Sequence, residues 1–304
     1  MTNSLVENAL ARKTGNQIAG ISVADVLPDF DQVNGYSELV IGRLGTIYFG
    51  SSNRGLIAYD PNTNSFQLLN AERSNLPSDN VQTLAIDANG TLWIGTTLGL
   101  RILINPAQVF ENAELQTQPV IIEENGVALE LLNDQVIQTI TVDGNNNKWI
   151  GTVNSGVFQF SSNGKETLQQ FDRSNSPLPS NTIQDISIDN ASGEVYFATP
   201  LGLVSYSGTA VSAQETLENA RVFPNPVRPD FNGQVTIDGL TDRANVKITD
   251  LNGNLVYEEV SQGGSIQWDT TAFGRYKVRS GVYFILITAE DAVETKIVKL
   301  MIIR

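Results

Sequence analysis

Cysteine and histidine are both absent from the 304 residues. Without them a Ser-His-Asp or Cys-His nucleophile cannot be assembled, and zinc sites built on His or Cys are excluded. No disulfide staples the fold, so its stability has to come from buried core. A lack of cysteine suits a reduced cytosol and a cysteine-poor cell envelope equally. No apolar run approaches the roughly 18 residues of a membrane span. The opening stretch "MTNSLVENALARKTGNQIAG" also lacks the apolar segment of a secretory signal. Either a cytoplasmic protein or the C-terminal part of a longer one is expected.

Basic residues are scarce as well. Lys and Arg number 19 against 33 Asp and Glu, for a net charge of −14. The excess is uneven: residues 1–218 hold 23 acids and 9 bases, and residues 219–304 hold 10 of each. The acidic part repels nucleic acid and anionic lipid rather than attracting them. The charge step near residue 218 marks a domain boundary.

What is plentiful is Gly, Asn and alternating apolar residues. With 41 % hydrophobic and 17 % charged residues the chain is a folded one. Its many turn residues and few helix-forming runs point to an all-β protein. One phrase occurs four times: "GRLGTIYFGSSNRGLIAYD" from Gly42, "DANGTLWIGTTLGLRILIN" from Asp87, "DGNNNKWIGTVNSGVFQFS" from Asp143, and "NASGEVYFATPLGLVSYSG" from Asn190. The central aromatics Tyr48, Trp93, Trp149 and Tyr196 lie 45, 56 and 47 residues apart. A period of about 40–50 residues with four short strands per unit is the signature of propeller blades. Period-two pairs such as Leu84/Ile86, Ile140/Val142 and Ile186/Ile188 supply a strand, and Asn- and Gly-rich turns follow. "LPSDNV" (76–81) and "LPSNTI" (178–183) lead into new blades. The four aromatics are expected to pack between blades rather than serve as sugar platforms. Asp87, Asp143 and Asp189 are expected to form Asx turns. Calcium ligation is the other reading, but no copy has the spacing of an EF-hand loop.

The expected organisation is a lead-in at 1–37 that is poor in strands, then a β-propeller at 38–208 with blades near 38–80, 81–135, 136–182 and 183–208. A linker at 209–220 and an immunoglobulin-like β-sandwich at 221–304 follow. The excess length of the second blade, 105–131, reads as an extra hairpin around Asn125-Gly126. In the last segment, "QVTIDGL", "NVKITDLNGNLVYEEV", "GSIQWD", "GVYFILITAED" and "TKIVKLMIIR" read as strands, and "LNGN" (251–254) as a hairpin turn. In "GRYKVRSG", Arg275, Lys277 and Arg279 share one face if the stretch is extended. They form a candidate anion-binding strip, with an ordinary solvated loop as the plainer reading.

These residues carry a resemblance. The four phrases resemble the two-component regulator propeller repeats of Bacteroidetes sensor domains. The tail "FPNPVRPDFNGQVTI…VKITDLNGNLVYEE…IQWD…SGVYFILI…KIVKL" resembles the C-terminal sorting domain of type IX secretion cargo. Blades followed by this tail resemble a family of surface components of the type IX secretion machinery. The resemblance implies export through the tail and residence at the cell surface, associated with the outer membrane. It implies no enzymatic activity, no cofactor and no metal. Its implied partners are the sortase and attachment proteins and anionic lipopolysaccharide. Members have two larger propellers, so four blades suggest the C-terminal part of such a protein. The positions matching the sorting motif are Pro224, Asn225, Pro226, Gly281, Tyr283, Lys296 and Lys299. For Gly281 a plain turn, and for Tyr283 plain core filling, are the alternatives. Two other functions stay open: a secreted carbohydrate-binding propeller with a cleavable tail, and a ligand-binding sensor propeller. A lyase or glycosidase needs a carboxylate pair, and no such pair is placed together by the sequence.

Overall fold

The computed structural model describes residues 7–33, 35–112, 115–124 and 126–304. The chain divides into two compact units. The first comprises Met1–Val142, Asn147–Ser187 and Tyr196–Val204; the second comprises Asp143–Asn146, Ile188–Val195 and Ser205–Arg304. Almost all regular structure is antiparallel strand, and no described helix is long and apolar enough to cross a membrane.

Each copy of the repeated phrase is a small meander. In the first, Tyr36–Ile41, Ile47–Ser51, Leu56–Asp60 and Ser65–Leu69 form a four-stranded sheet in sequence order. The third copy does the same with Ile137–Val142, Lys148–Thr152, Val157–Phe160 and Thr167–Phe171. The second and fourth depart from the expected four strands. Val81–Ile86, Leu92–Thr96 and Gly99–Leu103 make a three-stranded sheet, whose outer edge is closed by the mutual backbone bonds of Ile102 and Gln118. The fourth sheet, Asp185–Asp189, Glu194–Thr199 and Gly202–Ser207, also has three strands. Inside 105–131 the extra hairpin is present as Ile121–Glu124 paired with Val127–Glu130; Asn125 of its turn lies outside the described residues. Residues 76–81 and 178–183 are bound back to the preceding copy. Gly55 N–H donates to Asp79 O and Gly156 N–H to Asn181 O, at 2.8 and 3.0 Å.

The lead-in has more structure than its sequence suggests. Leu10–Thr14 pairs with Gln17–Ile21, and a 3-10 turn follows at Phe30–Gln32. Residues 1–6 and 34 of that segment lie outside the described residues. Ala9, Leu10, Val23, Leu27 and Val33 are buried against Phe49, Ile57 and Tyr59 of the first sheet. This covers one face of that sheet.

The second strand of each copy shows how the sheets meet. Its alternate residues face opposite ways. The face carrying Tyr48, Trp93 or Trp149 also carries Gly50, Gly95 or Gly151. A methyl group built on these glycines would sit 2.5 Å from Val81, 2.6 Å from Ile137 and 2.6 Å from Ile183. Each of those three residues lies in the first strand of the next copy or in the segment leading into it. Glycine is therefore required by close approach, not by a special backbone angle. The three aromatics are buried as expected. Tyr196 is not: it is 36 % exposed, while Phe197 on the opposite face is buried like its counterparts Phe49, Ile94 and Ile150, its ring 5.5 Å from Trp149. The burial of Glu194–Thr199 alternates, whereas Leu92–Thr96 and Lys148–Thr152 are buried throughout. In the fourth copy the glycine position holds Ala198.

Between the second and third copies lies a buried ion pair. Lys148 Nζ is 3.0 Å from Asp87 Oδ2, with the two side chains 0 % and 3 % exposed. Asp87 Oδ1 accepts from the N–H groups of Asn89 and Thr91, so the expected Asx turn is present. Oδ2 also accepts from Trp93 Nε1 at 2.9 Å. The ammonium donates to Ser162 O at 2.6 Å and lies 4.8 Å from the Trp93 ring centre. Asp143 and Asp189 form the same type of turn, accepting from Asn145 N–H and Ala191 N–H. Among the described residues no cluster of acidic side chains is arranged to hold a metal ion.

In the second unit a three-stranded sheet (Arg221–Phe223, Val235–Asp238, Ser265–Trp268) faces a four-stranded one. The latter has the order Leu255–Val260, Asn245–Thr249, Gly281–Thr288, Thr295–Ile302. Their inner residues form one core around the fully buried Trp268, with Val235, Ile237, Val246, Ile248, Ile285 and Leu300. This is an immunoglobulin-like sandwich. The LNGN turn joins the first two strands of the larger sheet, and Asp250 accepts from the Asn254 side-chain amide and from the backbone N–H groups of Asn254 and Asn252, which hold its carboxyl below the usual range. Residues 209–220, expected as a linker, are laid along the sandwich. Gly264 N–H donates to Val211 O, Gln214 N–H to Leu240 O, and Leu217 is fully buried.

Two substitutions test the repeat contact. Gly95→Ala is expected to destabilise the first unit by about 1–3 kcal/mol through overpacking. Ala198→Gly should cost less than about 1 kcal/mol, the penalty of glycine within a strand. Urea unfolding of both variants measures the difference. Lys148→Met should cost about 3–5 kcal/mol, because it strands a buried carboxylate. The same exchange at exposed Lys165 should stay within about 0.5 kcal/mol.

Candidate functional site

The residues matching the sorting motif converge on the last strand of the sandwich, Thr295–Ile302. This strand pairs on one side with Gly281–Thr288 in an eight-residue register, Gly281 opposite Ile302 and Thr288 opposite Thr295. Its other side is an edge, with backbone groups that need partners. The segment "PNPV" provides them. Pro224 and Pro226 both follow cis peptide bonds, and neither has an N–H to offer. Asn225 between them uses its side chain instead. Its Nδ2 donates to Lys299 O at 2.8 Å, and its Oδ1 accepts from Met301 N–H at 3.1 Å. Val227 continues with backbone bonds: its N–H donates to Met301 O at 2.8 Å, and its carbonyl accepts from Ile303 N–H at 2.9 Å.

The other motif residues act around this clamp. Tyr283 is buried in the sandwich, its ring 6.0 Å from Trp268, and its hydroxyl donates to Arg279 O at 2.9 Å. Burial pushes this phenol up from its ordinary pKa. Lys296 Nζ donates to Glu218 O at 2.9 Å, and Glu294 accepts from Leu217 N–H at 2.8 Å. The end of the 209–220 stretch is thereby tied to the same strand. Lys299 is exposed, its ammonium 5.9 Å from the ring of Phe284 across the pair. Gly281 lies in a strand with φ outside the left-handed region. A Cβ there would meet only Tyr283, at 3.9 Å. Neither a turn nor close packing demands glycine at this position.

Arg275, Lys277 and Arg279 are not set on one continuous strand. Extended pairing covers only Tyr276–Lys277, opposite Thr271–Ala272. Arg275 belongs to the turn, where its N–H donates to Ala272 O, next to Phe273 and Gly274 at positive φ. Lys277 Nζ donates to Asp269 O within its own loop. Buried Val278 separates Lys277 from Arg279. All three cationic side chains are exposed, and none forms an ion pair among the described residues.

Sequence reasoning missed the clamp itself, the role of Val227, and the anchoring of Arg304. The Arg304 backbone N–H donates to Ser280 Oγ at 2.8 Å, and its guanidinium reaches Val278 O and Thr270 Oγ1 at 3.2 and 2.6 Å. The available signal was a polar residue between two prolines, placed to face an edge strand. Asn225→Ala is expected to lower the stability of the sandwich by about 1 kcal/mol and to speed hydrogen exchange at the Met301 amide. Asn225→Asp keeps the acceptor but not the donor, so it should preserve protection at Met301 better than alanine does. Exchange rates read by NMR or mass spectrometry decide between them.

Family comparison places this geometry. The secretion system C-terminal sorting domain matches residues 221–303, and the two component regulator propeller matches residues 75–97. Curated protein sequences give no match. Among solved structures the chain is similar to PorZ of Porphyromonas gingivalis, an essential bacterial surface component of the type-IX secretion system, at 25 % identity and a TM-score of 0.69. That likeness covers 100 % of this chain but 43 % of PorZ, so the chain spans less than half the length of that relative. It is also similar to the extracellular domains of the putative hybrid two component systems BT3049 and BT4673 of B. thetaiotaomicron. For BT3049 the identity is 15 %, the TM-score 0.44 and the coverage 90 % and 38 % of the two chains; for BT4673 the values are 15 %, 0.41, 88 % and 36 %. These two carry no functional weight. Residues 221–303 are thus a secretion-system C-terminal sorting domain, residues 75–97 within the repeated sheets are of the two-component-regulator propeller type, and the chain as a whole is PorZ-like.

Proposed function

We propose that this chain serves as a non-enzymatic component of a type IX secretion system at the cell surface, where it binds anionic lipopolysaccharide and docks on sortase and attachment proteins. The observation that carries the proposal is the sorting domain at 221–303, joined to blades in a chain that is PorZ-like over its whole length. Three features support it. The sorting tail fits an exported protein at the outer membrane. The sequence has neither His nor Cys, which removes the common nucleophilic and zinc-dependent mechanisms. Arg275, Lys277 and Arg279 offer exposed cations without ion pairs among the described residues, on the part of the chain that does not share the acidic excess.

Binding through those cations is electrostatic and weakens as salt screens it. Calorimetric titration of the full chain with purified anionic lipopolysaccharide, at low and at physiological salt, is expected to show saturable binding that falls with salt. Replacing Arg275, Lys277 and Arg279 together by Ser should weaken it by about tenfold, a loss of roughly 1.4 kcal/mol. Unchanged affinity in the triple variant moves the polysaccharide site elsewhere, and no binding at low salt removes lipopolysaccharide as the ligand.

A further inference from the structure

The N-terminal hairpin does not fully cover the first sheet. A cavity of about 410 Å³ remains between them, floored by buried Leu10 and Tyr59 and walled by Ile21, Leu39 and Ile47. The volume lies within the range of about 300–1,000 Å³ common to small-molecule sites. The repeat explains why it is there. Ile47 occupies the position that is Leu92, Lys148 and Val195 in the later copies, and those three are all buried while Ile47 is half-exposed. In the later copies this face is filled by an aromatic of the preceding one. The Trp93 ring lies against Lys148, and the Trp149 ring against Phe197. Beside Ile47 the described lining includes Leu10, Ile21, Leu39 and Tyr59, and the slot lies between them.

The rim of this slot carries a charge. Arg12 lines the cavity from the strand Leu10–Thr14 and is exposed. It enters no ion pair or side-chain hydrogen bond among the described residues. Among the described residues no carboxylate lines the cavity. Asp60, between the lining residues Tyr59 and Pro61, is engaged by its own turn, accepting from Asn62 N–H and the Thr63 hydroxyl. A guanidinium unpaired among the described residues, beside an apolar slot on the acidic part of the chain, matches a ligand with a flat apolar body and one carboxylate or phosphate. The guanidinium takes such a group in two parallel hydrogen bonds.

We infer that this cavity is a binding site for an amphiphilic anion, an aromatic body seated on Ile47, Leu39 and Tyr59 with its acid group on Arg12. The inference does not depend on lipopolysaccharide binding or on the sorting domain.

The test uses the full chain with 2-naphthoate, its neutral amide 2-naphthamide, and acetate. Calorimetry or intrinsic fluorescence is expected to show saturable naphthoate binding about tenfold tighter than the amide, and none by acetate. Arg12→Gln, an exposed substitution that leaves the fold intact, should erase the preference for the acid without abolishing amide binding. Ala11→Trp, which fills the rim, should weaken both, with an unchanged melting curve as the control. Three results overturn the inference: no saturable naphthoate binding, equal affinity for acid and amide, or a preference that survives Arg12→Gln.

Discussion

Everything in the first unit depends on how closely one sheet approaches the next. The second strands of the first three copies lie close against the start of the next copy, and at Gly50, Gly95 and Gly151 there is no room for even a methyl group. A strand without side chains at that point loses packing and gains backbone entropy in the unfolded state, which ordinarily weakens it. The loss is accepted because Val81, Ile137 and Ile183 enter the vacated space. Each is buried to 2 % or less, which contributes about 1.5–3 kcal/mol per side chain. The aromatic two residues earlier sets the spacing on the same face. The fourth copy carries Ala198 in place of the glycine and a Tyr196 that is 36 % exposed.

The pair of Asp87 and Lys148 obeys a different logic. Removing two charges from water costs more than their attraction returns unless every remaining donor and acceptor is used. Here the carboxylate takes two turn N–H groups, the indole N–H and the ammonium, and the ammonium also has a carbonyl and a π face. Lys148 stands where the other copies have Ile47, Leu92 and Val195. The interface between the second and third sheets is thus chemically distinct from the others. A sheet carrying an apolar residue in that slot would leave Asp87 buried without its countercharge, so this contact is not interchangeable with those of its neighbours.

How much of this was legible depended on the range of the interaction. The period, the Asx turns, the hairpin at 121–130 and the strands of the sandwich all follow from local rules, and all are present. The change from glycine to alanine at 198 was visible in the aligned phrases, but its meaning needed the next sheet. Tyr196 was misread because aromatic identity outlives burial: the residue type repeats in the phrase while its burial does not. Lys148 was overlooked because a charged residue in a strand normally marks a solvated face. The 209–220 stretch has no periodicity, yet its backbone bonds and Leu217 fix it to the sandwich. The lead-in hairpin was missed because "ARKTGNQIAG" lacks clear apolar alternation, although its Gly-Asn pair is a turn signal. Among the motif residues, Asn225 and Lys299 are 74 positions apart, and no local rule joins them.

The clamp on the last strand bears on how the sorting domain can be read. An eight-residue edge strand is a natural template for a further strand. Residues 299–303 are closed to that use, because Asn225 and Val227 already hold the outward backbone groups. Prolines on either side of Asn225 withhold two donors and keep the clamping segment from becoming an edge strand of its own. Toward the start of the strand, Lys296 and Glu294 reach the backbone at 217–218 through side chains. A partner that approaches the 299–303 stretch therefore meets side chains, above all exposed Lys299 beside Phe284, and has to recognise the domain by charge and shape rather than by extending its sheet.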